Sequence, residues 1–234
     1  MKISLAQINP TVGDIGNNTN KILKIINKSS SDLIVFPELS ITGYSPGDLI
    51  LKQSFVNKNI DALKKITSVS QKPSIVGFIG KDKLNKTYNS AAFIKNKKIA
   101  NIHSKICLPT YSLFDEKRWF SKGEEPTILN FKNKKIGLNI CEDIWSSEVP
   151  LKQKRSGADF IINISASPFS TSKIEQIERT LIQRNIETNI PILYCNQVGA
   201  QDGIVYYGHS MFVQDGKTQQ TAKDFEEDLL TIQL

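Results

Sequence analysis

The chain has 234 residues, 39% of them hydrophobic and 23% charged, an ordinary globular composition with enough length for one large α/β domain. Its net charge of +7 comes from scattered lysines, with arginine only at 118, 155, 179 and 184, so the arginine-rich, aromatic-interleaved face of a nucleic-acid binder is missing. No stretch approaches the roughly 18 apolar residues of a membrane span, no apolar h-region opens the chain, and three cysteines argue against a disulfide framework; the expected setting is soluble, reducing and cytoplasmic.

In chain order, short runs rich in Ile, Val and Phe predict strands at 2–8, 32–38, 74–80, 88–94, 135–141, 159–165 and 191–198. Several are apolar on both faces, as in a sheet buried between layers. Helices are predicted at 18–30, 48–70 and 173–189; in the last, Ile174, Ile177, Leu181, Ile182 and Ile186 recur at helical spacing as one buried stripe. "FIKNKKIANIHSKICL" and "SMFVQDGKTQQTA" predict hairpins with Asn-Lys and Asp-Gly tips, and the two "KNKK" runs, at 95–98 and 132–135, suit solvated tips. No repeat, linker or low-complexity tract interrupts residues 1–234, which are expected to form a single domain mixing crossover helices with antiparallel hairpins.

Chemistry in α/β folds gathers where strands end, because the ladder positions a side chain and the loop exposes it. Three strand ends carry unusual residues: Glu38 in "DLIVFPEL", Lys105 in "IANIHSKICLP" and Cys141 in "IGLNICED". Each alone has an ordinary reading, as a solvated loop acid, an outward strand lysine and an inert buried thiol. Together they form a nucleophile, an acid to take its proton and a cation to favour thiolate against Glu142 and Asp143. The Lys105 ammonium and the Glu142 backbone N–H are the expected donors to an oxyanion.

"FPEL" with "TGY", "SKICLP" and "NICED" followed by a tryptophan resemble the glutamate, lysine and cysteine signatures of the nitrilase, or carbon–nitrogen hydrolase, superfamily. More narrowly, "LAQINPTVGDIGNN", "LPTYSLFDEKRWF", "NISASPF", "NQVGAQDG" and "FEEDLL" are similar to the glutaminase half of bacterial glutamine-dependent NAD synthetases, from residue 2 to about 230. The resemblance implies a four-layer αββα sandwich with Cys141 as nucleophile, Glu38 as proton acceptor, Lys105 as essential cation and Glu116 as a second active-site glutamate. It also implies Tyr111, Ser167 and Lys173 as substrate contacts, with L-glutamine as substrate, and Glu142, through its backbone N–H, is expected to bind substrate beside them. Lys173 opens a predicted helix, where a cation and free amides suit an α-carboxylate.

The implied partner is an ammonia-accepting NAD synthetase domain or subunit, and a homo-oligomer is expected. The amidase half is expected to need no metal or organic cofactor; ATP and Mg belong to the synthetase half, whose Ser-Gly-Gly-x-Asp-Ser loop has no counterpart here, since the sequence contains no Gly-Gly pair. "YYGHS" at 206–210 departs from the family pattern. Three other readings stand beside this one: a stand-alone amidase for another small amide, a Cys-His hydrolase using His103 or His209, and a non-catalytic subunit that keeps the fold.

Overall fold

The computed structural model describes residues 1–234. Strand β1 (Lys2–Gln7) leads into helix α1 (Ile15–Lys28), which starts ahead of its apolar pattern because the Asp14 carboxylate caps it, accepting the Asn17 backbone N–H at 3.2 Å. After β2 (Leu33–Val35), the helix expected over 48–70 divides into a 3-10 turn, Gly47–Leu51, and α2 (Gln53–Val69). The break falls at Lys52, whose extended backbone (ψ 106°) cannot continue a helical ladder.

Strands β3 (Ser74–Lys81), β4 (Thr87–Lys95) and β5 (Lys98–Ser104) follow, then the single turn α3 (Glu116–Trp119). The second half holds β6 (Thr127–Phe131), β7 (Lys134–Ile140), a 3-10 turn at Cys141–Ile144, α4 (Glu148–Arg155), β8 (Phe160–Ser165), α5 (Lys173–Thr188) and β9 (Ile192–Asn196). It closes with β10 (Val198–Gln201), β11 (Ile204–Tyr207), β12 (Met211–Gln214), β13 (Lys217–Thr221) and β14 (Asp228–Gln233). The strand expected over 191–198 is thus divided at Gln197, its first part in a main sheet and its second in a two-stranded ribbon with β11.

Two six-stranded sheets result, ordered β14-β1-β2-β3-β4-β5 and β13-β12-β9-β8-β7-β6. Their plans match. In each, three parallel strands joined by two crossover helices are flanked by antiparallel strands. Period-2 alternation sorts the residues into layers. Ile3, Leu5, Val35 and Ile75 of the first sheet meet Leu138, Ile162, Ile164 and Leu193 of the second in the central core.

On the far face of the first sheet, Val76 and Phe78 pack with Ile22 and Ile26 of α1 and Leu63 and Ile66 of α2. On the far face of the second, Ile161 and Tyr194 pack with Ile177 and Leu181 of α5. The stacking is therefore helix, sheet, sheet, helix, as the resemblance implies. One expectation for α5 fails: Ile186 is 65% exposed. The period carried on from Ile177 and Leu181 reaches Arg184, Asn185 and Thr188, which are buried, and leaves Ile186 roughly on the opposite side of the helix, about 140° from Leu181 and about 180° from Ile177.

The expected tips are present. Asn96-Lys97, Lys132-Asn133 and Asp215-Gly216 pair positive φ angles, as a two-residue type I′ hairpin requires, and Asp202-Gly203 adds a further pair between β10 and β11.

Candidate active site

Glu38 lies just past β2 and has no exposure to solvent. Its placement depends on β3: a Cβ on Gly77 would fall 2.4 Å from both the Pro37 carbonyl oxygen and the Leu39 nitrogen, so only glycine admits the Glu38 segment this close to the sheet. The Ile41 N–H bonds the Gly77 carbonyl at 3.2 Å and helps hold Leu39 at a φ of 46°. Glu38 Oε1 accepts Asn89 Nδ2 at 2.6 Å and Lys105 Nζ at 2.7 Å; Oε2 accepts the Ala166 N–H at 3.0 Å.

Lys105 is the first residue beyond β5, pinned by its own N–H to the Asn89 carbonyl at 2.8 Å. Its buried ammonium donates to Glu38 Oε1 and to Glu116 Oε1, both at 2.7 Å. Of three ammonium protons, one remains for other partners. Burial opposes this charge, but Glu116, Glu38 and Cys141 together hold the Lys105 pKa well above that of an ordinary lysine. Glu116, at the start of α3, also accepts the Tyr44 hydroxyl on Oε1 at 2.7 Å, while its Oε2 has no partner. Burial raises the Glu116 pKa, with Lys105 pulling against that rise.

Cys141 ends the β7 run and opens the following 3-10 turn with a φ of 46°, in the left-handed region that a non-glycine residue adopts only under constraint. The Asn163 amide holds its carbonyl at 3.2 Å. Its Sγ lies 4.0 Å from Ser167 Oγ, which accepts the Tyr194 hydroxyl at 2.9 Å. Ala166 binds Glu38 and its neighbour Ser167 faces the thiol, so acid and sulfur share one short stretch of backbone.

The electrostatics correct one expectation. Burial first, then Glu38, push the Cys141 pKa strongly upward, and Lys105 offsets only part of this because its charge is shared by two carboxylates. Burial therefore favours the neutral thiol of Cys141 over its thiolate.

Glu38, Lys105, Glu116, Cys141 and Ser167 therefore come together in one buried cluster. The remaining expected residues lie at its rim. The half-exposed Tyr111 hydroxyl donates to Glu142 Oε2 at 2.8 Å, and both line an outer cleft of about 530 Å³ with Cys107, Lys117 and Lys122. Lys173 does open α5, and its ammonium sits 4.1 Å from the ring centre of Trp145, the residue closing the Cys141 turn. Both histidines are engaged elsewhere: His103 between Thr127 and Asp143, His209 with Asp224.

Sequence reasoning missed Asn89, a polar residue inside the apolar strand run "YNSAAFI", which is the signal that would have found it. Tyr194, inside the apolar run "PILYCNQV", carries no such signal, whereas Tyr44 lies in the "TGY" motif.

A four-layer sandwich closing on an acid, an amine and a thiol defines a class, the carbon–nitrogen hydrolases. The sequence model of that family matches residues 2–234, and the chain belongs to it. Within the family it matches the N-terminal part of glutamine-dependent NAD(+) synthetases: that of Thermotoga maritima is 37% identical over 243 residues and that of Aquifex aeolicus 38% over 239, each covering 100% of this chain and 42% of the relative. The chain thus spans less than half the length of the curated relatives it matches.

Among solved structures, the glutamine-dependent NAD+ synthetase of Acinetobacter baumannii in complex with ADP superposes with a TM-score of 0.95 at 33% identity, over 98% of this chain and 44% of that one. An amidase from a Nesterenkonia species shares the fold, with a TM-score of 0.89 at 22% identity over 100% of this chain and 90% of that one.

Proposed function

We propose that this chain is a cysteine amidase that hydrolyses the side-chain amide of L-glutamine and delivers the ammonia to a synthetase domain or subunit that amidates deamido-NAD. The observation that carries the amidase reading is the buried junction of Glu38, Lys105 and Glu116 beside the strained, strand-ending Cys141. Glutamine as substrate is supported by the resemblance to NAD synthetases over the whole chain and by the rim, where Glu142 suits an α-ammonium and Lys173 an α-carboxylate.

In the first step Cys141 Sγ attacks the carboxamide carbon while Glu38 takes the thiol proton. The free Lys105 N–H faces the developing oxyanion. It is joined by the Glu142 N–H, which lies in the opening turn of a helix where no intrahelical acceptor exists. The carbon–nitrogen bond breaks, Glu38 returns its proton to the departing nitrogen, and ammonia leaves a γ-glutamyl thioester. Water, deprotonated by Glu38, then attacks the thioester; the carbon–sulfur bond breaks, Cys141 regains a proton and glutamate departs. Glu116 holds the opposite side of Lys105, so the ammonium cannot swing away from the reacting carbon.

The test is ammonia and glutamate release by the purified chain from L-glutamine, against propionamide and asparagine, with and without a synthetase domain of a close relative. Preferential turnover of glutamine supports the proposal. Equal or faster turnover of simple aliphatic amides would replace it with a stand-alone amidase.

A further inference from the structure

Asp143, two residues past the thiol, is fully buried, and both of its oxygens are saturated. Oδ1 accepts the backbone N–H groups of Ile106 at 2.9 Å and Cys107 at 2.8 Å. Oδ2 accepts the N–H of Ile140 at 3.0 Å and His103 Nε2–H at 3.0 Å. Four donors on one carboxylate in a dry site make a stiff, charge-assisted junction.

The donors come from two segments. Ile140 immediately precedes Cys141, whereas Ile106 and Cys107 immediately follow Lys105. These segments belong to different sheets, β7 to the second and β5 to the first, so no strand ladder fixes one against the other. His103 extends the junction: it is also fully buried, and its Nδ1 shares a hydrogen bond with the Thr127 hydroxyl of β6 at 3.1 Å.

We propose that Asp143, oriented by His103 and Thr127, is the positioning residue that sets the Lys105 ammonium against the Cys141 thiol across the two sheets. The proposal rests on the cysteine-amidase reading for its catalytic consequence. An ordinary loop cap would satisfy orphan N–H groups within one turn. Asp143 instead takes one donor from its own turn and three from residues around Lys105, on the other side of the site.

Asp143→Asn tests this in the full chain, because the carboxamide replaces an acceptor oxygen with a donor and must release part of the junction. The variant keeps its circular dichroism spectrum and a cooperative thermal transition. Its kcat for glutamine falls about tenfold or more while KM stays within about threefold, since the loss is in alignment of reacting groups and the rim contacts are untouched.

Site-resolved iodoacetamide labelling between pH 8 and 10 separates positioning from mere loosening. Cys141 labels more slowly, because Lys105 no longer favours its thiolate. Cys107 labels faster, because burial and then the Asp143 charge hold its pKa at about 11, and that charge is gone. Should Asp143→Asn not fold, Thr127→Val is expected to give a smaller fall, about threefold, in both kcat and Cys141 labelling.

Faster labelling of both cysteines, or unchanged Cys141 labelling and kcat in a folded variant, would overturn the proposal. If the wild-type chain releases no ammonia from glutamine while the opposite labelling shifts persist, the substrate reading fails and the positioning role stands.

Discussion

One buried ammonium faces two buried carboxylates and a thiol, so the cluster carries a net negative charge if both acids ionise and none if one is protonated. Glu116 Oε2 is the one carboxylate oxygen of the pair without a partner, so a proton on the pair has room there. Burial raises the Glu116 pKa in the folded state, so its contribution to stability is fully present below the unfolded value of 4.5 and is lost as pH rises through the folded value. Glu116→Gln removes that loss. Its melting temperature relative to wild type is expected to improve from pH 5 to pH 8, while glutamine turnover drops about a hundredfold. A constant difference in melting temperature would contradict the assignment. Because burial and then Glu38 push the Cys141 pKa upward, its alkylation rate by iodoacetamide should keep rising through pH 9; a plateau below pH 7 would reveal a preformed thiolate instead. At this scale Glu38, Lys105 and Cys141 were legible because each breaks the pattern of its strand end. Tyr194 was not, because an aromatic side chain inside a strand reads as sheet packing until the opposite element is known; Asn89 stands out as a polar residue in an apolar run, but nothing in that run names its partner.

Two elements place the acid: the loop after β2 and the strand β3 beneath it. Gly77→Ala puts a methyl group onto the backbone of Pro37 and Leu39, and the Glu38 segment must lift. The expected result is destabilisation of about 1–3 kcal/mol by chemical denaturation, with kcat reduced about a hundredfold from the displaced base. Native activity in Gly77→Ala would show that the loop tolerates the shift. A hairpin offers the opposite case: Lys97 sits at a φ of 57° and makes no ion pair, so Lys97→Gly relieves left-handed strain and should raise the denaturation midpoint by the equivalent of about 1 kcal/mol. Types of the main strands and of helices α1, α2 and α5 followed from periodicity and turn residues, but their lengths did not all follow, since the helix over 48–70 and the strand over 191–198 divide and the strand over 32–38 shortens to Leu33–Val35. β6, β14 and α4 were not expected, because they are short and half solvated and their apolar pattern is thin. Ile186 is an apolar residue whose helical phase, not its type, decides its exposure.

At the scale of the molecule, two sheets of the same plan clasp the site between them, and Glu38, Lys105 and Cys141 come from a strand end or the loop just beyond one, while Glu116 opens the short helix α3. Periodicity shows strands and helices but not how sheets stack; the four-layer arrangement was legible only through the family resemblance of its motifs, and Asp143 became visible only once the sheets were in place. The chain covers 42% of its NAD synthetase relatives from Thermotoga maritima and Aquifex aeolicus. No helix is long and apolar enough to cross a membrane. The central claim is that distant acid, amine and thiol act as one glutamine-directed nucleophile. Its most direct measurement is intact-mass and peptide analysis after incubation with 6-diazo-5-oxo-L-norleucine, an electrophile shaped like glutamine. A single adduct on Cys141, lost in Cys141→Ala and strongly slowed in Lys105→Met, is the predicted result; an adduct on Cys107, or none at all in the folded wild-type protein, would contradict it.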